Sequence, residues 1–110
     1  MKIANEINFS KKFSKLEDNF FLTVRWTDTR YVLGDVLPII VNGEKIGEGQ
    51  VMFTFTTTLD KLLDTHGFTF YDADTNPTHY YRMMKEWYSK KPDWKLYHSK
   101  VQLVAIRRVH

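Results

Sequence analysis

Thr23, Arg25, Trp26, Arg30 and Tyr31 fall within nine residues of the chain. Guanidinium groups pair with phosphate oxygens, and indole or phenol rings stack on bases, so these types at this spacing suit contact with a nucleic acid. Thr23 adds a hydroxyl that can donate or accept. Lys12, flanked by Lys11 and Lys15, can extend the cationic path. The competing reading is structural: core aromatics beside solubilising arginines, with the three lysines on an ordinary solvated helix face.

Other chemistries find no support. His66, His79, His98 and His110 stand too far apart to place two metal ligands on one helix face. The run from Asp72 through Asp74 to Asn76 opens like a calcium loop, but Pro77 and Met83 occupy the positions that need glycine and glutamate. Gly43, Gly47 and Gly49 do not precede a helix, and no Gly-Lys-Ser/Thr sequence follows them as a phosphate loop requires. Ser10, Ser14, Ser89 and Ser99 lack the setting of a nucleophile elbow. The chain has no cysteine, which removes thiolate metal sites, disulfides and thiol nucleophiles. No metal and no cofactor are expected.

The elements that must position the arginine–aromatic cluster follow from periodicity. Phe9, Phe13 and Leu16 predict a short amphipathic helix from Ser10 to Glu17, with Ser10 as N-cap. Phe20 to Trp26 reads as a strand, with Phe20, Leu22, Val24 and Trp26 on one face and Phe21, Thr23 and Arg25 on the other. Thr27 to Arg30 is a polar loop. A strand from Val36 to Val41 contains Pro38, which predicts an unpaired edge or a bulge there. Asn42-Gly43 predicts a type I′ turn joining it to Glu44–Gly47. Gln50 to Thr56 alternates again, with Val51, Phe53 and Phe55 on one face. Thr58 opens a helix through His66 that turns Leu59, Leu62 and Leu63 inward, and Gly67 terminates it. Phe68 to Asp74 fits either a short strand or an ordered loop. Asn76-Pro77 opens the best-marked helix, with Tyr80, Met83, Met84, Trp87 and Tyr88 on one face. Val101 to Val109 is a strand buried on both faces. About five strands and three helices give an α+β fold, a strongly curved sheet or small barrel with helices across its openings.

With 110 residues, 43% apolar and 15% aromatic, the chain suits one compact domain spanning 1–110. No apolar run approaches the roughly 20 residues of a membrane span, and the start lacks a signal peptide, so a soluble cytoplasmic protein is expected. A net charge of +3 permits nucleic-acid binding without demanding it.

Taken in order, the segments from Ile7 to Val51 resemble the ASCH domain, a member of the PUA-like superfamily. The residues that carry the resemblance are Phe9 and Phe13, then Leu22-Thr23-Val24-Arg25, Gly34-Asp35, and Ile46-Gly47 before Val51. Leu59-Asp60-Lys61-Leu62, the helix ending in Trp87-Tyr88 and the last strand extend it over nearly the whole chain. The resemblance implies a small PUA-like β-barrel with a cleft between barrel and helices, and RNA or a modified nucleoside as ligand. A compact bacterial subset of similar length acts as an N4-acetylcytidine amidohydrolase through a lysine, a threonine and a glutamate. Its threonine corresponds to Thr23 and its strand arginine to Arg25. Its lysine position holds Phe20, and its glutamate position falls on Phe70, with Asp64, Asp72 and Asp74 nearby. A phenyl ring supplies neither base nor cation. The expectation is therefore a non-catalytic RNA- or nucleoside-binding module.

Two alternatives remain. A hydrolase would retain Thr23 and require a lysine from elsewhere, with Lys85 and Lys100 as candidates. A protein-interaction or inhibitor module would use the aromatic region from Tyr80 to Tyr97, which holds more rings than one helix face can bury.

Overall fold

The computed structural model of the protein describes residues 2–109; His110, one of the four histidines, lies outside them. Strands β1 (Lys2–Ile3), β2 (Ile7–Phe9), β3 (Phe20–Trp26), β4 (Thr29–Arg30), β5 (Val36–Val41), β6 (Glu44–Thr58) and β7 (Lys100–Arg108) accompany helices α1 (Leu59–Asp64), α2 (Phe68–Ala73) and α3 (Pro77–Tyr88). Two 3-10 turns, Ser14–Glu17 and Leu96–His98, complete the chain. The fold is α+β: five strands in the order β2-β5-β6-β7-β3 form a curled half-barrel, and β1 pairs with β4 in a separate ribbon.

The sheet is built around β7. Val101, Leu103, Val104, Ala105 and Ile106 are all buried, as a strand paired on both sides and covered on both faces must be. Its neighbour β3 has the limits that its alternation predicts. The β5–β6 hairpin turns on Asn42 and Gly43, both at positive φ (51° and 81°), as a type I′ turn requires. Pro38 pairs with Glu48 one residue before β2 joins β5, and the register slips between Ile39 and Ile40, so edge and bulge occur side by side.

Several expectations are corrected. The hairpin arm and the Gln50–Thr56 strand are one 15-residue strand, β6. A bulge between Val51 and Phe53 then reverses the face on which side chains emerge. Val51 is buried, whereas Phe53 and Phe55 are 44% and 47% exposed and pack against each other at 6.2 Å. No helix runs from Ser10 to Glu17. The chain is extended at Ile7–Phe9, and Phe13, at φ −74° and ψ 148°, precedes a four-residue 3-10 turn. The i, i+4 apolar spacing there reflects a strand residue and a turn residue meeting in one core, with the Phe9 and Phe13 rings edge to face at 6.2 Å. So short a run also lacks the length to propagate a helix once nucleated. The polar loop after β3 ends in β4, paired in parallel with β1.

Phe68–Ala73 is helical. Gly67 at φ 76° opens α2 and Asp74 at φ 55° closes it, so the glycine expected to end the preceding helix starts the next one. Helix α1 is correspondingly short, with Leu59 and Leu62 buried and Leu63 half-buried. Helix α3 forms as its signals predict: Asn76 Oδ1 accepts from the His79 N–H, Pro77 takes the first turn, and Tyr80 and Met84 are buried.

Candidate functional site

A half-barrel has two free edges, here β2 and β3, and the candidate site is the seam between them. The Phe9 and Phe21 rings meet edge to face at 6.0 Å and close one part of that seam. The rest is a cleft of about 320 Å³ lined by Asn8, Phe9 and Phe13, by Thr23, Val24 and Arg25, by Asp72, and by Tyr80, Trp87 and Tyr88. That volume lies at the lower end of the range for small-molecule sites.

The backbone of β3 is arranged to use its free edge. The Arg108 N–H donates to the Asn19 carbonyl at 2.7 Å, so in the antiparallel ladder the odd-numbered residues of β3 bond to β7. The even-numbered residues turn their N–H and C=O groups outward. At Leu22 both are taken: the N–H donates to Tyr71 Oη at 2.7 Å, and the carbonyl accepts from Lys15 Nζ at 2.9 Å. The next outward pair belongs to Val24, on the wall of the cleft.

Lys15 is held at the base of the cleft. Its ammonium pairs with the Asp72 carboxylate, whose other oxygen accepts from Tyr80 Oη at 2.7 Å. Burial pulls the Lys15 pKa below the ordinary lysine value against the opposing pull of Asp72, and the Arg25 charge adds to the lowering. Burial and the same carboxylate push Tyr80 well above the usual phenol range. Tyr80 is therefore a neutral donor at ordinary pH.

Arg25 gives the site its open valence. Its guanidinium carbon lies 4.7 Å from the Phe9 ring centroid, a cation–π contact, and its Nε is buried without a hydrogen-bond partner. A buried guanidinium N–H left unpaired is costly, and a small shift of the Arg25 side chain within the cleft it lines is needed to bring the Nε to an acceptor.

Of the residues singled out by sequence, Thr23 and Arg25 share the cleft. Trp26 does not: it is 4% exposed, stacked on Tyr88 at 4.9 Å, with its indole N–H donating to Asp93 Oδ1 at 3.0 Å. Its even-numbered place on β3 turns it to the opposite face from Thr23 and Arg25. Arg30 and Tyr31 line a different depression with Thr54, Thr56 and Gln102, and Tyr31 is buried. Lys12 is exposed and pairs with Glu17 at 3.8 Å, away from the cleft. Neither Lys85 nor Lys100 lines the cleft, and both are exposed. Lys15 is the lysine that enters, from a segment whose apolar spacing assigned it to solvent. Of Asp64, Asp72 and Asp74, Asp72 is the one that lines the cleft. Trp87, 47% exposed, stands at the cleft wall.

Among the described residues no cluster of histidine, aspartate or glutamate could hold a metal ion, and no helix is long and apolar enough to cross a membrane. No protein-family model matches the chain, and neither a search of curated proteins nor one of solved structures finds a match.

Proposed function

We propose that the seam cleft binds a nucleoside or an unpaired RNA base without turning it over. The observation that carries this reading is the buried, unpartnered Nε–H of Arg25 in a cleft walled by Phe9, Phe13, Tyr80, Trp87 and Tyr88. A planar heterocycle satisfies such a site: its faces meet aromatic rings and its carbonyl or ring nitrogen accepts from the guanidinium. The Val24 backbone offers an adjacent donor and acceptor to the same edge. Thr23 adds a polar contact. This ligand class is the one that the ASCH-type resemblance implies, and the curled sheet is consistent with the small barrel-like α+β fold it calls for.

The test is a tryptophan-fluorescence titration with free nucleosides and short RNAs at low salt, read on Trp87. Saturable change is expected, lost in Arg25→Ala. No response to any nucleoside or RNA would sink the reading.

A second reading, an amidohydrolase acting on an acylated cytidine, is favoured by one observation: a lysine of lowered pKa does reach the cleft. Amide hydrolysis needs a nucleophile, a proton acceptor and a donor for the oxyanion. The Thr23 hydroxyl and the Arg25 guanidinium line the same cleft, and Lys15 becomes a proton acceptor there once its ammonium passes its proton to Asp72. The reading requires turnover of N4-acetylcytidine that disappears in Thr23→Ala. Binding without turnover eliminates it.

A further inference from the structure

The chain's positive charge is concentrated in one segment. Residues 77–100 carry Arg82, Lys85, Lys90, Lys91, Lys95 and Lys100 against Glu86 and Asp93, a net +4. The remaining residues carry ten basic against eleven acidic side chains, a net −1, which together give the +3 of the whole chain. Lys91 pairs with Asp28 at 2.6 Å; among the described residues the other five cations make no ion pair.

The same segment, joined by Trp26 of β3, supplies a run of rings. From the cleft wall, Trp87 meets Tyr88 edge to face at 6.2 Å, and Tyr88 stacks on Trp26 at 4.9 Å. Trp26 lies 6.2 Å from Trp94, Trp94 lies 6.2 Å from Tyr81, and Tyr81 stacks on Tyr97 at 4.2 Å and 21°. The two ends, Trp87 and Tyr97, are 47% and 49% exposed, and the middle is buried or half-buried. The expected aromatic region from Tyr80 to Tyr97 is thus not one surface. Tyr80 points into the core, whereas Tyr81, Trp87 and Tyr97 reach solvent. Lys85 follows Tyr81 by one helical turn on the same side of α3, and Lys95 lies two residues before Tyr97.

We infer that the ridge formed by the Tyr81–Tyr97 stack, with exposed Lys85 and Lys95 beside it, is a track for single-stranded nucleic acid. The inference rests on the reading of the cleft as a base site only for the class of ligand, and it uses separate residues. Exposed rings beside unpaired cations match the two surfaces of a single strand, π-faces and phosphates. An acidic protein partner would match the cations and leave the rings without a stacking partner.

The experiment is fluorescence anisotropy with a labelled oligouridylate of about ten nucleotides, its deoxythymidine counterpart and an RNA duplex. The salt range is roughly 50 to 200 mM. The expected result is preference for either single strand over the duplex. Tyr97→Ala weakens binding roughly tenfold or more, as loss of a stacked base does. Lys85→Gln and Lys95→Gln each flatten the logarithmic salt slope by about 0.7. These side chains are exposed, so the variants are expected to keep the wild-type near-ultraviolet spectrum of the buried Trp26 stack. Oligonucleotide binding that depends on Arg25 and is unchanged in all three ridge variants overturns the track and leaves the cleft standing. Binding lost in the ridge variants while free nucleosides still titrate Trp87 supports the track. Oligonucleotide binding through the ridge with no nucleoside response supports the track and removes the cleft reading. Capture of polyglutamate but no oligonucleotide overturns it in favour of an acidic protein.

Discussion

The Lys15 ammonium and the Asp72 carboxylate, 57 residues apart in sequence, form an ion pair with side chains only 2% and 9% exposed. The pair ties the first 3-10 turn to α2, and through Tyr80 to α3, beneath the cleft. Removing one member strands the other charge in the interior, which costs about 3–5 kcal/mol. Lys15→Met and Asp72→Asn are each expected to lower urea-unfolding stability by amounts of that order. The double variant leaves no orphaned charge and is expected to recover part of the loss. Losses that simply add would show that the two groups are not energetically coupled.

Alkaline pH separates Tyr80 from its neighbours. Its folded pKa lies well above the 10.0 of an unfolded tyrosine, so the native state holds the proton more tightly. The stability this contributes is complete below pH 10 and is lost as pH rises from there toward the folded value. Lys15 has the opposite sign: its folded pKa lies below 10.5, so between the two values the unfolded chain binds more protons and stability rises with pH. Comparing wild type with Tyr80→Phe isolates the tyrosine. The variant is less stable near neutrality, because Asp72 loses a donor, but its stability is expected to fall less steeply above pH 10. Parallel curves would refute the assignment.

Strands β3, β5 and β7 of the central sheet were legible because each carries its own local signal. The period-2 pattern of β3, the Asn42-Gly43 turn and the apolar run of β7 depend little on distant partners. Helix α3 was legible for the same reason, through Asn76 and Pro77. What escaped depends on partners far away in the chain. The bulge at Met52 is set by pairing with β7, and it exposes Phe53 and Phe55, which alternation had placed with Val51. Lys15 read as solvated because its burial is compensated by Asp72 and the Leu22 carbonyl, neither of them local. Thr23 and Arg25 share one cleft because a strand's two faces are fixed by parity. The same parity separates them from Trp26.

The type I′ turn carries a stability prediction. Gly43 has open space around its Cα but sits at φ 81°, where an L side chain is strained. Gly43→Ala is expected to cost about 1 kcal/mol through backbone conformation alone. Thermal denaturation should show a lowered midpoint with an unchanged near-ultraviolet spectrum, since no packing is disturbed.

Gly49 gives the converse case, a glycine required by space and not by φ. A Cβ at this position would collide with Ile106 Cγ2 and approach Ile39 Cδ1 to 3.3 Å, and both isoleucines are fully buried and unable to swing away. Gly49→Ala should therefore destabilise by overpacking, about 1–3 kcal/mol. The geometry specifies which second change relieves it. Ile106→Val keeps the Cγ2 branch and trims only the distal methyl, so its own cost adds to that of the alanine. Ile106→Leu moves the branch one carbon outward at nearly constant volume, clears the collision, and is expected to recover part of the loss despite costing up to about 1.5 kcal/mol alone. Urea unfolding of the three single and two double variants decides the matter: equal rescue by valine and leucine, or by neither, would mean that the contact limiting Gly49 is not the β-branch of Ile106.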